Sequence, residues 1–108
     1  MEKIEKTLKF NRLLSFYGVL LSPTQKDILE AYFFYDLSIS EIASERGISR
    51  AAVEDALQKG SAKLEEYEDK LHHIENADEI LKILAKIKEN DVNPELLKDL
   101  EDIERRLK

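Results

Sequence analysis

Cysteine and tryptophan are missing altogether from this 108-residue chain, and three glycines and two prolines are all it has of the residues that break regular structure. Without cysteine there can be no disulfide, thiolate metal site or cysteine nucleophile, which suits a reducing compartment. So few turn formers argue against a β fold built from many short strands and for an all-α chain. No segment approaches the roughly 18 consecutive apolar residues of a membrane span, and the opening "MEKIEKTLKF" lacks the apolar stretch of a signal peptide, so the expectation is a cytoplasmic protein with no membrane insertion. Positive charge is also in deficit. A formal net charge of -6 argues against indiscriminate binding to nucleic acid or acidic lipid. That acidity lies mostly after Gly60, with the first 37 residues balanced.

What is present is helical periodicity. Ile4, Leu8, Phe10, Leu14, Phe16, Tyr17, Val19 and Leu20 suit a first helix with a broad buried face, ending near Gly18–Leu21. Ser22-Pro23-Thr24 supplies a side-chain acceptor and then a proline whose missing N–H is harmless in the first turn, so a second helix follows. Ile28, Leu29, Ala31, Tyr32 and Tyr35 form its buried stripe, and Asp36 begins the exit. Most of the aromatics, from Phe10 to Tyr35, are expected in the core, with Phe33 or Phe34 left for a partner.

Ser38-Ile39-Ser40-Glu41 matches a capping box and predicts a third helix running to Arg46, where Gly47 allows a positive φ. Ser49 is placed to cap a fourth helix, which has no proline and extends to about Ile74, some 37 Å at roughly 1.5 Å per residue. Leu57, Gly60, Leu64, Tyr67, Leu71 and Ile74 repeat along it at spacings of three and four, the seam of a coiled coil. Asn76-Ala77-Asp78-Glu79 is read as the cap of a fifth helix bearing Ile80, Leu84 and Ile87, and Asn93-Pro94 as the start of a sixth bearing Leu96, Leu100, Ile103 and Leu107. The expected organisation is therefore a domain over 1–75 and a helical hairpin over 76–108 packing on the long helix, with a hinge at His73–Ala77. Leu64 and Leu71 are expected to be buried mainly by the C-terminal helices; a homodimer through the same seam is the other arrangement the pattern allows.

The third and fourth helices carry the spacing of a helix-turn-helix. Two helices that cross tightly need a small residue four positions before the turn, glycine in the turn and apolar residues where the pair meets the core. Ala43 stands four before Gly47, and Ile42, Ile48, Val53, Ala56 and Leu57 take the apolar positions. An ordinary αα turn would share the amphipathicity but not the coincidence of small residue, glycine and two caps. The outward face carries Arg50, Ala51, Glu54, Asp55 and Gln58, with Lys59 and Lys63 beyond. Carboxylates repel a phosphate backbone, so tight operator binding by one chain is not expected.

The stretch "LSPTQKDILEAYFFYDLSISEIASERGISRAAVEDALQKGSAKLEEYEDKL", with "NRLLSFYGVLL" before it, resembles the YlxM-like family of small bacterial proteins, whose helix-turn-helix looks like region four of sigma factors. The resemblance covers roughly Asn11–Leu71 and is carried by Glu41-Ile42-Ala43, Ser49-Arg50, Ala52-Val53 and Asp55. Ala51, Glu54, Ala56 and Gln58 depart from the polar, aromatic or basic residues usual there. It implies a sigma-region-four-like fold and a regulatory role in the signal recognition particle pathway, with the particle's protein or RNA as partner. The candidate nucleic-acid-binding residues are Ser38, Ser49, Arg50, Glu54, Gln58, Lys59 and Lys63. The helix-turn-helix alone would suggest a DNA-binding transcriptional regulator, and Glu54 with Asp55 a module that binds only protein.

His72 and His73 point about 100° apart on a helix and lack the i, i+4 spacing of a helical metal pair. Glu65, Glu66, Glu68 and Asp69 have no oxygen-rich loop around them and read as a solvated face. No P-loop, dinucleotide fingerprint, nucleophile elbow or zinc motif occurs, so no cofactor and no enzymatic activity are expected.

Overall fold

The computed structural model describes residues 2–108, with side chains from Lys3 onward. The elements are α1 (Glu2–Tyr17), a 3-10 turn (Gly18–Leu20), α2 (Pro23–Phe33), α3 (Ile39–Arg46), α4 (Arg50–Leu71), α5 (His73–Lys88) and α6 (Pro94–Leu107). No strand occurs among the described residues, and the fold is all-α. The chain parts into two units, one ending at Leu71 and one running His72–Lys108.

In the first unit, α1 buries Phe10, Leu13, Leu14 and Tyr17, spaced so as to share one helix face. Ile4 and Leu8 lie on the opposite face and are exposed; Val19 and Leu20, also expected inside, fall in the 3-10 turn and face solvent. The Phe10 ring stacks on Phe33 of α2 with centroids 4.9 Å apart. Phe33 is therefore core, and Phe34 remains exposed. α2 is capped by Ser22, whose Oγ accepts from the Gln25 N–H, and it ends two residues before Tyr35, leaving that ring outside the buried stripe. Asp36 then turns the chain with φ 54, and the Leu37 N–H donates back to the Ala31 carbonyl at 3.0 Å.

α4 is 22 residues long and spans about 33 Å. Its seam meets α1 and α2. A Cβ on Gly60 would stand 2.8 Å from Leu29 Cδ1, so glycine marks the closest approach of α2 and α4. Two turns further, Tyr67 Oη donates to the Leu20 carbonyl and Tyr17 Oη donates to Glu68 at 2.6 Å, which satisfies the hydroxyl of an otherwise buried ring. Leu64 lies between these contacts and is 0% exposed. Within the first unit, α1 and α2 both pack against α4. Leu71, at 44% exposed, stays outside the packed seam.

α4 stops at Leu71 instead of Ile74, because His72 adopts φ 55, ψ 27, a left-handed conformation that histidine visits more readily than most side chains. The break uses that single residue, and Asn76, expected as a cap, sits inside α5 with its N–H on the His72 carbonyl. In the second unit, Asn93 Oδ1 accepts from the Leu96 N–H at 2.8 Å, starting α6 with Pro94 in its first turn. Leu84 of α5 and Leu100 of α6 are buried, and Lys88 pairs with Glu104 at 2.9 Å across the hairpin.

Candidate nucleic-acid interface

The helix-turn-helix is assembled by local chemistry. Ser38 Oγ accepts from the Glu41 N–H and the Ser38 N–H donates to Glu41 Oε1, both at 3.1 Å, forming the reciprocal cap of α3. Gly47 ends α3 at φ 65, ψ 36, with its N–H on the Ala43 carbonyl, and the Ile48 N–H bonds the same oxygen. Ser49 Oγ accepts from the Ala52 N–H at 3.0 Å and opens α4. Ile42, Ala43 and Val53 then pack with Ile28 and Ala31 in one cluster, bordered by Tyr32, Leu37, Ile39, Ala56 and Leu57. Ile48, expected in that core, is 37% exposed over a shallow cleft beside Pro23 and Arg46. The turn geometry needs only its backbone.

Arg46 is consumed by structure. Its Nε and Nη2 donate to the two oxygens of Asp27 at 3.0 and 3.1 Å, fastening α3 to α2. Those hydrogen bonds, together with the guanidinium charge, hold the Asp27 carboxyl below its ordinary range and raise Arg46 in return.

The seven candidate residues do not converge on one patch. Ser38 and Ser49 are helix caps. Arg50 heads α4, exposed and without an ion pair among the described residues. Glu54 and Gln58 follow it along the edge of α4 facing α1, where they border an open groove of about 750 Å³ with Lys9, Phe10 and Leu57. Lys59 and Lys63 lie on the opposite edge: Lys59 pairs with Asp55 at 3.2 Å, and Lys63 Nζ donates to Gln25 of α2. The outward face of α4 thus starts with Arg50, unpaired among the described residues, and carries a carboxylate neutralised in place by Lys59.

Two residues that the periodicity reading passed over join Arg50. Lys3 and Lys6 of α1 line the same polar pocket of about 440 Å³, together with Ser38 and Ser40. Their signal was legible in outline, because the buried stripe Tyr17, Leu13, Phe10 continues N-terminally along the same helix face into Lys6 and Lys3, which are exposed. The pocket's position depends on how α1 crosses α3, which no local pattern encodes.

Among the described residues, no group of three His, Asp or Glu is placed to hold a metal ion, and no helix is long and apolar enough to cross a membrane. His72 Nδ1 lies 3.1 Å from Glu75 at the start of α5.

Comparison with known proteins agrees with this geometry. Residues 4–103 match the family described as "Putative helix-turn-helix protein, YlxM / p13 like". The UPF0122 protein of Bacillus thuringiensis (strain Al Hakam) is 40% identical over 107 residues, covering 94% of this chain and 97% of that protein. The UPF0122 protein of Bacillus mycoides (strain KBAB4) matches to the same extent, and that of Bacillus anthracis (strain A0248) is 39% identical over 107 residues. With its capped α3, left-handed Gly47 and buried Ala43 in place over that matched length, the chain belongs to the UPF0122 family of YlxM/p13-like helix-turn-helix proteins.

Proposed function

We propose that this protein is a non-enzymatic regulatory factor that works in the cytoplasm and binds the signal recognition particle, through its RNA or its protein, with the Arg50 edge of the helix-turn-helix as the contact. The resemblance described above supplies the particle. The observation that carries the binding mode is Arg50: it stands at the start of α4 with no carboxylate partner among the described residues, while Arg46 and Lys59 on the same motif are both tied up. A guanidinium at a helix start can meet a phosphate together with free backbone N–H groups. Ala51 and Glu54, next on the face, offer little to a base edge, which favours a backbone or shape contact over reading of a long operator.

The alternative is a DNA-binding transcriptional regulator, favoured by the complete turn geometry of Ala43, Gly47 and Ser49. Titrating the purified chain at low salt against the particle's RNA, its protein component and a random duplex pool separates the readings. The expected result is association with the particle or its RNA that weakens in Arg50→Ala. A duplex motif enriched by selection would favour the alternative, and no association with either component of the particle would refute the proposal.

A further inference from the structure

In this acidic chain most cations are neutralised where they stand. Lys9, Lys26, Arg46, Lys59, Lys70, Lys82, Lys88, Arg105, Arg106 and Lys108 each have a carboxylate within ion-pair distance. Lys3, Lys6 and Arg50 have none among the described residues, yet all three line one polar pocket. They come from different elements. The lysines are one turn apart on the core-facing stripe of α1, and Arg50 begins α4. The start of α3 lies between them, contributing the hydroxyls of Ser38 and Ser40. Two carboxylates, Asp36 and Glu41, share the pocket, and Glu41 Oε1 also accepts from the Ser38 N–H, so three cations face two anions.

Like charges gathered from separate helices repel, and two carboxylates compensate three cations only in part; an anion would complete the balance. Hydroxyl donors interleaved with cations are the chemistry of phosphate recognition. We propose that the pocket bounded by Lys3, Lys6 and Arg50 is a phosphate-binding site, so that α1 extends the helix-turn-helix interface and the protein holds a phosphate between α1, α3 and α4. The inference rests on the reading of Arg50 as a nucleic-acid contact and adds the ligand's chemistry and two residues outside the motif. The phosphate can be a diester of a nucleic-acid backbone or a free phosphate, and two probes tell these apart.

The experiment compares the intact wild-type chain, Lys3→Gln/Lys6→Gln, Arg50→Gln and the control Lys86→Gln/Lys98→Gln, whose lysines are also unpaired and exposed but lie in the other unit. Amide NMR follows a titration with inorganic pyrophosphate. Fluorescence anisotropy follows binding of a labelled RNA hairpin and a labelled duplex across a salt series. Pyrophosphate is expected to shift the amides of Lys6, Ser40 and Arg50 in the wild type and in the control. For nucleic acid, the double lysine variant is expected to lose about fivefold or more in affinity at low salt and to reduce the salt slope by roughly one to two. If Lys3→Gln/Lys6→Gln matches the control in both assays while Arg50→Gln weakens nucleic-acid binding, the phosphate pocket is refuted and the Arg50 reading stands. Pocket shifts with pyrophosphate but no binding of either nucleic acid would keep the phosphate site, assign it to a free phosphate and overturn the nucleic-acid reading. No response to any probe overturns both.

Discussion

Replacing Leu64 by alanine tests whether the long helix is held by the elements before it. The side chain is fully inaccessible, one turn after the point where Gly60 touches Leu29 and one turn before Glu68 meets the Tyr17 hydroxyl. α2 and α4 already approach as closely as a glycine permits, so the helices have little room to close over a cavity. Truncating a buried leucine costs about 2–5 kcal/mol, more where the site cannot collapse, and the upper half of that range is expected here. For a unit of this size each kcal/mol lowers the melting temperature by about 4–8 °C, so a drop on the order of 15–40 °C follows. Leu71→Ala, at a position 44% exposed, should cost under about 1 kcal/mol. Thermal unfolding followed by circular dichroism at two protein concentrations measures both, and the loss at Leu64 should not depend on concentration, since α1 and α2 of the same chain fill the seam. Equal, small effects at the two positions would refute this packing, and a concentration-dependent loss at Leu64 would make the seam an interface between chains.

Gly47→Ala should destabilise by about 1 kcal/mol, because the backbone holds φ 65 while the space around a new Cβ is open; urea unfolding should show Gly47→Asn losing clearly less. Asp27→Asn should remove a pH-dependent contribution. The folded carboxyl is depressed by Arg46, so the wild type's advantage is full above the ordinary value of 3.8 and fades as pH falls through the lowered folded value, which a series of unfolding curves below neutral pH will display. Asp36→Asn should tighten binding of pyrophosphate and RNA in the titrations above, since it removes one of the pocket's two carboxylates while asparagine tolerates φ 54; weaker binding would contradict the charge argument.

Local chemistry made much of this protein legible before any coordinates. Ser22-Pro23, the Ser38/Glu41 box, Gly47, Ser49 and Asn93-Pro94 act within a turn of where they stand, so the starts of α2, α3, α4 and α6 and the helix-turn-helix between them follow from neighbours in the chain. Tertiary structure decided what depends on how helices cross. A leucine seam is equally satisfied by upstream helices, downstream helices or a second chain, because burial has no direction; the approach of Leu29 to Gly60 shows only that α2 packs against α4 at that point. The helix break at His72 was hidden for a related reason, since a single left-handed residue leaves the apolar period on either side intact. The candidate interface divides along the same line. Arg50 was visible from its place in the motif, whereas Lys3 and Lys6 become its neighbours only because α1 lays its buried stripe across α2 and α4, bringing residues more than forty positions apart in sequence to one pocket.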